Sequence, residues 1–100
     1  PWNYPVNLAI VPMIGAIAAG NTVFVKFSRH TQTTGETFAK LLPQYMDTRA
    51  VAVENEGGAR FITKLIESQW DYIFFTGSVS VGTIIYQVPG IKLLLVMLLR

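Results

Sequence analysis

Phe74-Phe75-Thr76-Gly77-Ser78-Val79-Ser80-Val81-Gly82 carries the chain from one structural period to another. Upstream, Tyr72-Ile73-Phe74-Phe75 is continuously apolar, the pattern of a strand covered on both faces. Downstream, a helix is expected from near Ser78, with Val81, Ile84, Ile85 and Val88 at i, i+3, i+4 and i+7. Gly77 permits a tight turn between the two. The first turn of a helix offers unpaired N–H groups and the positive end of the dipole, so an anion is favoured there. The Ser78 hydroxyl could bond a phosphate oxygen; it could equally be a plain N-cap, with Gly77 a plain turn residue. Thr83-Ile84 stands where a P-loop requires Lys followed by Ser or Thr, and the six-residue G-x-G-x-x-G pattern is not met either.

Working back towards the first residue, the same alternation repeats. Val6 to Ala19 is almost entirely apolar or small and reads as a buried helix, started or kinked by Pro12 and ended at Gly20-Asn21. Asn21 to Phe27 reads as a strand with Val23, Val25 and Phe27 on one face. Thr33-x-x-Glu36 has the form of a capping box, opening a helix whose Phe38, Leu41, Leu42 and Tyr45 share a face, with Glu36 and Lys40 as an i,i+4 pair. Ala50 to Val53 is a short buried strand. Gly57-Gly58 is a loop, and Ala59 to Ser68 a helix with Ile62, Leu65 and Ile66 inward. The order α-β-α-β-α-β-α argues for an α/β fold with a parallel sheet and right-handed crossovers. Ligands of such folds bind at the carboxyl ends of the strands, which puts Lys26 to Arg29 and Thr76 to Gly82 forward as candidate binding loops.

Composition narrows the function classes. The chain has 100 residues, 51% of them hydrophobic and 14% charged, and a mean hydropathy of +0.40. That is apolar for a lone small domain and suggests burial against more protein. The formal charge of +2 arises from residues spread along the chain, without the Lys/Arg cluster of a nucleic-acid interface. The absence of cysteine excludes a disulfide framework, thiol chemistry and a cysteine-bound zinc, and no metal-ligating cluster is read elsewhere. No charged segment precedes an apolar signal core, so a cytoplasmic setting is favoured. The apolar tail Ile91 to Leu99 is too short to span a bilayer, which takes about 20 residues; a strand or an out-of-place segment is expected. His30, the only histidine, has no nucleophile or carboxylate near it in sequence and reads as a solvated loop residue. Asp47, Glu54 and Glu56 fall in loops with no sign of a paired-carboxylate site.

Pro1 to Gly20, PWNYPVNLAIVPMIGAIAAG, resembles the segment that leads into the coenzyme domain of aldehyde dehydrogenases. Asn21 to Lys26, NTVFVK, and Phe74 to Gly82, FFTGSVSVG, continue the resemblance, which runs to about Tyr86 and looks most like the class 3 or fatty aldehyde dehydrogenase branch. It implies a three-layer, Rossmann-like parallel sheet, incomplete here, with residues 1–88 as part of an NAD(P)-binding domain and 89–100 as a divergent apolar tail. It implies oxidation of an aldehyde to an acid with NAD or NADP. Under it, the Asn3 amide would donate to the oxyanion of the tetrahedral intermediate. Trp2 would line the route to the nicotinamide, Lys26 and Ser28 would meet the adenosine ribose, and Gly77, Ser78 and the helix toward Gly82 would meet the pyrophosphate. The alternatives to these roles are a turn residue for Asn3, a core aromatic for Trp2 and a solvated strand-end lysine for Lys26.

The chain departs from the family pattern in two places. Lys26-Phe27-Ser28-Arg29 stands where the family has Lys-Pro-Ser-Glu, and Arg29 cannot accept bonds from ribose hydroxyls as a glutamate does. The position has either lost its site or turned to the 2′-phosphate of NADP. After the final helix the family proceeds to Glu-Leu-Gly-Gly-Lys, with its general-base glutamate; Pro89-Gly90-Ile91-Lys92 runs instead into Leu93 to Arg100. With neither the cysteine nucleophile nor that glutamate, the chain reads as a piece of a dehydrogenase, inactive alone. The alternative is a non-catalytic piece that binds nucleotide or docks onto dehydrogenase subunits.

Overall fold

The computed structural model describes residues 1–55, 57–90 and 93–98, the last six through their backbone. It comprises two compact units, Pro1–Glu56 and Gly57–Arg100.

The first unit holds helix α1 (Asn7–Ala18), strand β1 (Val23–Lys26), a 3-10 turn at Arg29–Thr31, helix α2 (Gln32–Tyr45) and strand β2 (Val51–Glu54). Helix α1 starts five residues before Pro12 and runs through it. It ends as Gly20-Asn21 foretells: Gly20 takes φ +83°, its N–H bonds the Ile17 carbonyl at 2.9 Å, and the Asn21 N–H bonds the Ala16 carbonyl at 3.0 Å. Strands β1 and β2 pair in parallel, with Val23 opposite Val51 and Lys26 opposite Glu54. Their core is Met13, Val25, Phe27 and Val51, all buried, flanked by Ile10 and Ile17 of α1 and Phe38 and Leu42 of α2. The Phe27 and Phe38 rings stack with centroids 5.3 Å apart, worth about 0.5–1.5 kcal/mol beyond area burial.

Helix α2 corrects two expectations. It begins before Thr33, at Gln32, so the capping box does not form; the Thr33 carbonyl instead accepts from the Thr37 hydroxyl at 2.8 Å. Glu36 accepts from Gln32 at 3.0 Å rather than pairing with Lys40. The capping role has moved upstream to Ser28, whose hydroxyl accepts from the His30 N–H that opens the 3-10 turn. The buried stripe is also rotated: Gly35 is buried, with Phe38, Leu42 and Met46 partly so, while Leu41 and Tyr45 are 44% and 81% exposed. The cause is Gly35. A Cβ there would overlap the Asn55 Oδ1 and come within 3.0 Å of the Phe27 Cβ, so a bare helix surface faces the ends of both strands.

The second unit holds α3 (Ala59–Ile66), β3 (Ile73–Gly77), α4 (Val79–Tyr86) and β4 (Leu93–Leu98). Strand β3 pairs in parallel with β4, with a register shift between Ile73 and Phe74. The apolar tail is therefore a strand over Leu93–Leu98, while residues 91, 92, 99 and 100 lie outside the described residues, as does Glu56. Ile66 and Ile85 are buried, and the Trp70 indole N–H bonds the Leu65 carbonyl at 2.6 Å, closing α3. Two expectations shift here. Phe74 is 41% exposed, so β3 is not covered on both faces, and Val81 and Ile84 of α4 are 39% and 56% exposed. Helix α4 buries Ile85, as expected, together with Gly82, because apolar residues surround it and no single stripe is dictated.

Gly35→Ala is expected to lower stability by about 1–2 kcal/mol despite the better helix propensity of Ala, since Asn55 can yield only by leaving the Gln32 carbonyl and Phe27 Cβ cannot move. Gly15→Ala, with nothing within 4 Å of its Cβ position, should raise stability by about 0.5–1 kcal/mol. Urea unfolding of both variants checks the pair; the same sign for both would refute the close-packing account.

Candidate nucleotide-binding loops

Two loops follow the carboxyl ends of parallel strands, one in each unit. In the first unit, Lys26 ends β1 and the chain passes through Phe27 and Ser28 into the 3-10 turn. The Lys26 ammonium donates to the Phe27 carbonyl at 2.7 Å and the Asn55 carbonyl at 3.5 Å. Partial burial holds its pKa below the ordinary lysine value, and the Glu54 carboxylate, opposite it in the strand register, partly offsets that shift. Ser28 is occupied locally: its hydroxyl accepts from the His30 N–H at 3.2 Å, and its carbonyl accepts from the Thr31 hydroxyl at 3.0 Å. Arg29 and His30 are exposed.

Asn55 is the residue that motif reading passed over. Its Nδ2 donates to the Gln32 carbonyl at 3.0 Å, its carbonyl receives Lys26, and its Oδ1 is buried against Gly35 without a hydrogen-bond partner. It thus straps the end of β2 to the start of α2 and to the Lys26 side chain. The available signal was Gly35, a glycine inside a helix, which marks a close approach at a propensity cost of about 1 kcal/mol.

Near the first residue, Trp2 is 70% exposed and lines, with His30, an open hollow of about 340 Å³. His30 is thus a loop residue, as expected, but one beside Trp2. Asn3 carries a buried Oδ1 with no partner, and its amide makes no hydrogen bond among the described residues.

In the second unit, Thr76 and Gly77 complete β3 and Ser78 caps α4, its hydroxyl accepting from the Val81 N–H at 3.4 Å and lying 3.1 Å from the Ser80 hydroxyl. The Ser78 carbonyl accepts from the Gly82 N–H at 3.0 Å. A Cβ on Gly77 would come within 2.5 Å of the Phe75 ring, so a side chain there would require that ring to move. Thr76 Oγ1 is buried with no partner, and the N–H groups of Val79 and Ser80 begin a helix and have no intrahelical acceptor. Free hydroxyl and amide donors at a positive helix end form a donor set that fits a phosphate group. Trp2, Asn3, Lys26 and Ser28 therefore belong to one unit, and Gly77, Ser78 and Gly82 to the other.

Comparison with known proteins follows the same lines. The model of the aldehyde dehydrogenase family matches residues 1–98. Aldehyde dehydrogenase family 3 comG of Dictyostelium discoideum is 54% identical over 87 residues, covering 87% of this chain and 18% of that protein. Aldehyde dehydrogenase family 3 member A2 of Pongo abelii is 48% identical over 86 residues, covering 86% and 18%. The substrate-bound structure of Staphylococcus aureus AldH superposes with a TM-score of 0.88 at 36% identity, covering 96% of this chain and 21% of that one. The chain thus spans about a fifth of the length of the proteins it matches.

A lysine with a depressed pKa binds its proton more weakly folded than unfolded, so its charge opposes folding at neutral pH. That penalty fades as pH rises from the depressed value to 10.5. The stability of the wild type relative to Lys26→Met should therefore improve as pH rises from the depressed value toward 10.5, read as the difference in urea midpoints. A difference independent of pH would refute the burial of this ammonium.

Proposed function

This chain belongs to the aldehyde dehydrogenase family, and on that footing we propose that it forms part of the coenzyme-binding domain of an NAD- or NADP-dependent enzyme that oxidises aldehydes to carboxylic acids. Residues 1–88 are assigned to that domain, with residues 89–100 as an apolar continuation. The observation that carries the reading is the junction at the carboxyl end of β3. There Thr76 presents a buried hydroxyl without a partner, Gly77 turns beneath Phe75, and Ser78 opens α4. A pyrophosphate answers this donor set: it accepts from the hydroxyls and the first amides of α4, and its charge lies at the positive end of the helix. When bound, the coenzyme supplies the acceptor for the two electrons that leave the aldehyde.

The remaining roles are divided among the chain's own residues. Lys26, with one ammonium hydrogen left after its two backbone contacts, donates to a ribose oxygen, and Ser28 donates its hydroxyl proton beside it. Trp2 offers an exposed aromatic face near the nicotinamide end. Asn3 supplies an Nδ2–H donor to the oxygen that becomes anionic when the aldehyde carbon turns tetrahedral; such donors contribute most where charge develops. The covalent step needs a thiolate and a general base, and no residue among these 100 is a cysteine.

A second reading, a non-catalytic piece that docks onto dehydrogenase subunits, draws on α1, where Val11 and Ile14 are 66% and 59% exposed. Co-purification with a dehydrogenase, lost in Ile14→Asp, would favour it.

In the complete polypeptide, Asn3→Ala is expected to lower kcat/KM by about 100- to 1,000-fold while leaving coenzyme affinity within about twofold. Loss of affinity in step with rate would refute the oxyanion role. The 100-residue chain alone should produce no reduced coenzyme from an aldehyde with NAD or NADP; an aldehyde-dependent rise at the absorbance of the reduced nicotinamide would overturn the assignment of the chemistry to residues outside it.

A further inference from the structure

We propose that the loop after β1 recognises the 2′-phosphate of NADP, with Arg29 as the residue that selects it over NAD. The inference rests on the coenzyme reading above and concerns which of the two coenzymes this chain takes.

The two ligands ask for opposite chemistry at one position. A free ribose diol is held by an acceptor, ordinarily a carboxylate, whereas a phosphate monoester is held by cations and hydroxyl or amide donors. Residues Lys26, Phe27, Ser28, Arg29, His30, Thr31 and Gln32 include no carboxylate. At Ser28 the acceptors are engaged: the hydroxyl oxygen receives the His30 N–H and the carbonyl receives the Thr31 hydroxyl. The donors the loop can offer a phosphate are the Ser28 hydroxyl proton, the Lys26 ammonium and the Arg29 guanidinium.

The carboxylate that acts on this loop, Glu54, lies opposite Lys26 in the strand register and acts on that ammonium. Arg29 is exposed and has no carboxylate partner among the described residues. Its planar fork of donors matches a phosphate bidentately, as a lysine cannot. It follows Ser28 directly, so two donors of different kinds stand side by side at the carboxyl end of a parallel strand. His30, the next residue, lines the open hollow with Trp2, so the loop borders free space rather than packed interior.

The test compares adenosine 2′,5′-bisphosphate with 5′-AMP on the full chain by isothermal titration calorimetry, with no dependence on turnover. The bisphosphate is expected to bind at least about tenfold more tightly, equivalent to about 1.4 kcal/mol. Arg29→Gln should abolish that preference while 5′-AMP binding stays within about twofold, and Arg29→Lys should retain only part of it. Equal binding of the two nucleotides by the wild type, or a preference that survives in Arg29→Gln, overturns the role of Arg29 and leaves the coenzyme site standing. Binding of neither nucleotide removes the coenzyme reading and this inference with it.

Discussion

Parallel strand pairing is the constraint on which the rest of this structure depends. Two parallel neighbours cannot be joined by a tight hairpin, so the chain must cross back along a helix before the second strand is laid down. Helix α2 makes that crossing between β1 and β2, and α4 makes it between β3 and β4. Each pair therefore presents its carboxyl ends on one edge, and there the chain leaves a strand with backbone groups and side chains free of the ladder. Lys26-Phe27-Ser28-Arg29 and Thr76-Gly77-Ser78 occupy such edges for this reason, before any chemistry is considered.

Register and close packing turn those edges into defined loops. The pairing of Val23 with Val51 carries Lys26 to Glu54, and a slip of one residue would bring Lys26 onto the face that Val25 and Phe27 bury. The Phe27–Phe38 stack and the Met13, Val25 and Val51 core hold that register. Two glycines then bring chain segments closer than a side chain would allow unless its neighbours moved. Gly35 lets α2 approach Asn55 and Phe27, and Gly77 lets β3 turn under the Phe75 ring. Asn55 uses the first approach to tie the ends of β1 and β2 to the start of α2.

The apolar character of the chain has a structural counterpart. Helices α1 and α4 are apolar around most of their circumference, and each buries one side while Val11, Ile14, Val81 and Ile84 stay exposed. They stand exposed in a chain that spans about 18% of the length of the Dictyostelium discoideum relative it matches. The exposed Phe74 on β3 belongs to the same group.

Much of this was legible in the residues alone. The order of elements followed from period changes, because a strand two residues in period and a helix of 3.6 cannot share one apolar pattern. The end of α1 was readable from Gly20-Asn21, since few other residues accept a positive φ there. The positions of the two candidate loops were readable as well, because strand–loop–helix order already implies where a parallel sheet presents its edge. Two matters were decided only by tertiary contacts, and a third, the cap, by a local turn that the motif did not reveal. The buried face of α2 follows Gly35 rather than Leu41 and Tyr45, because what lies against a helix chooses its face when several are apolar. The cap passed from Thr33 to Ser28, because a 3-10 turn formed ahead of the helix and local hydrogen bonding at Ser28 competed successfully. The strap through Asn55 joins residues 23 and 29 positions apart, and no local pattern encodes a contact that exists only once two strands have paired.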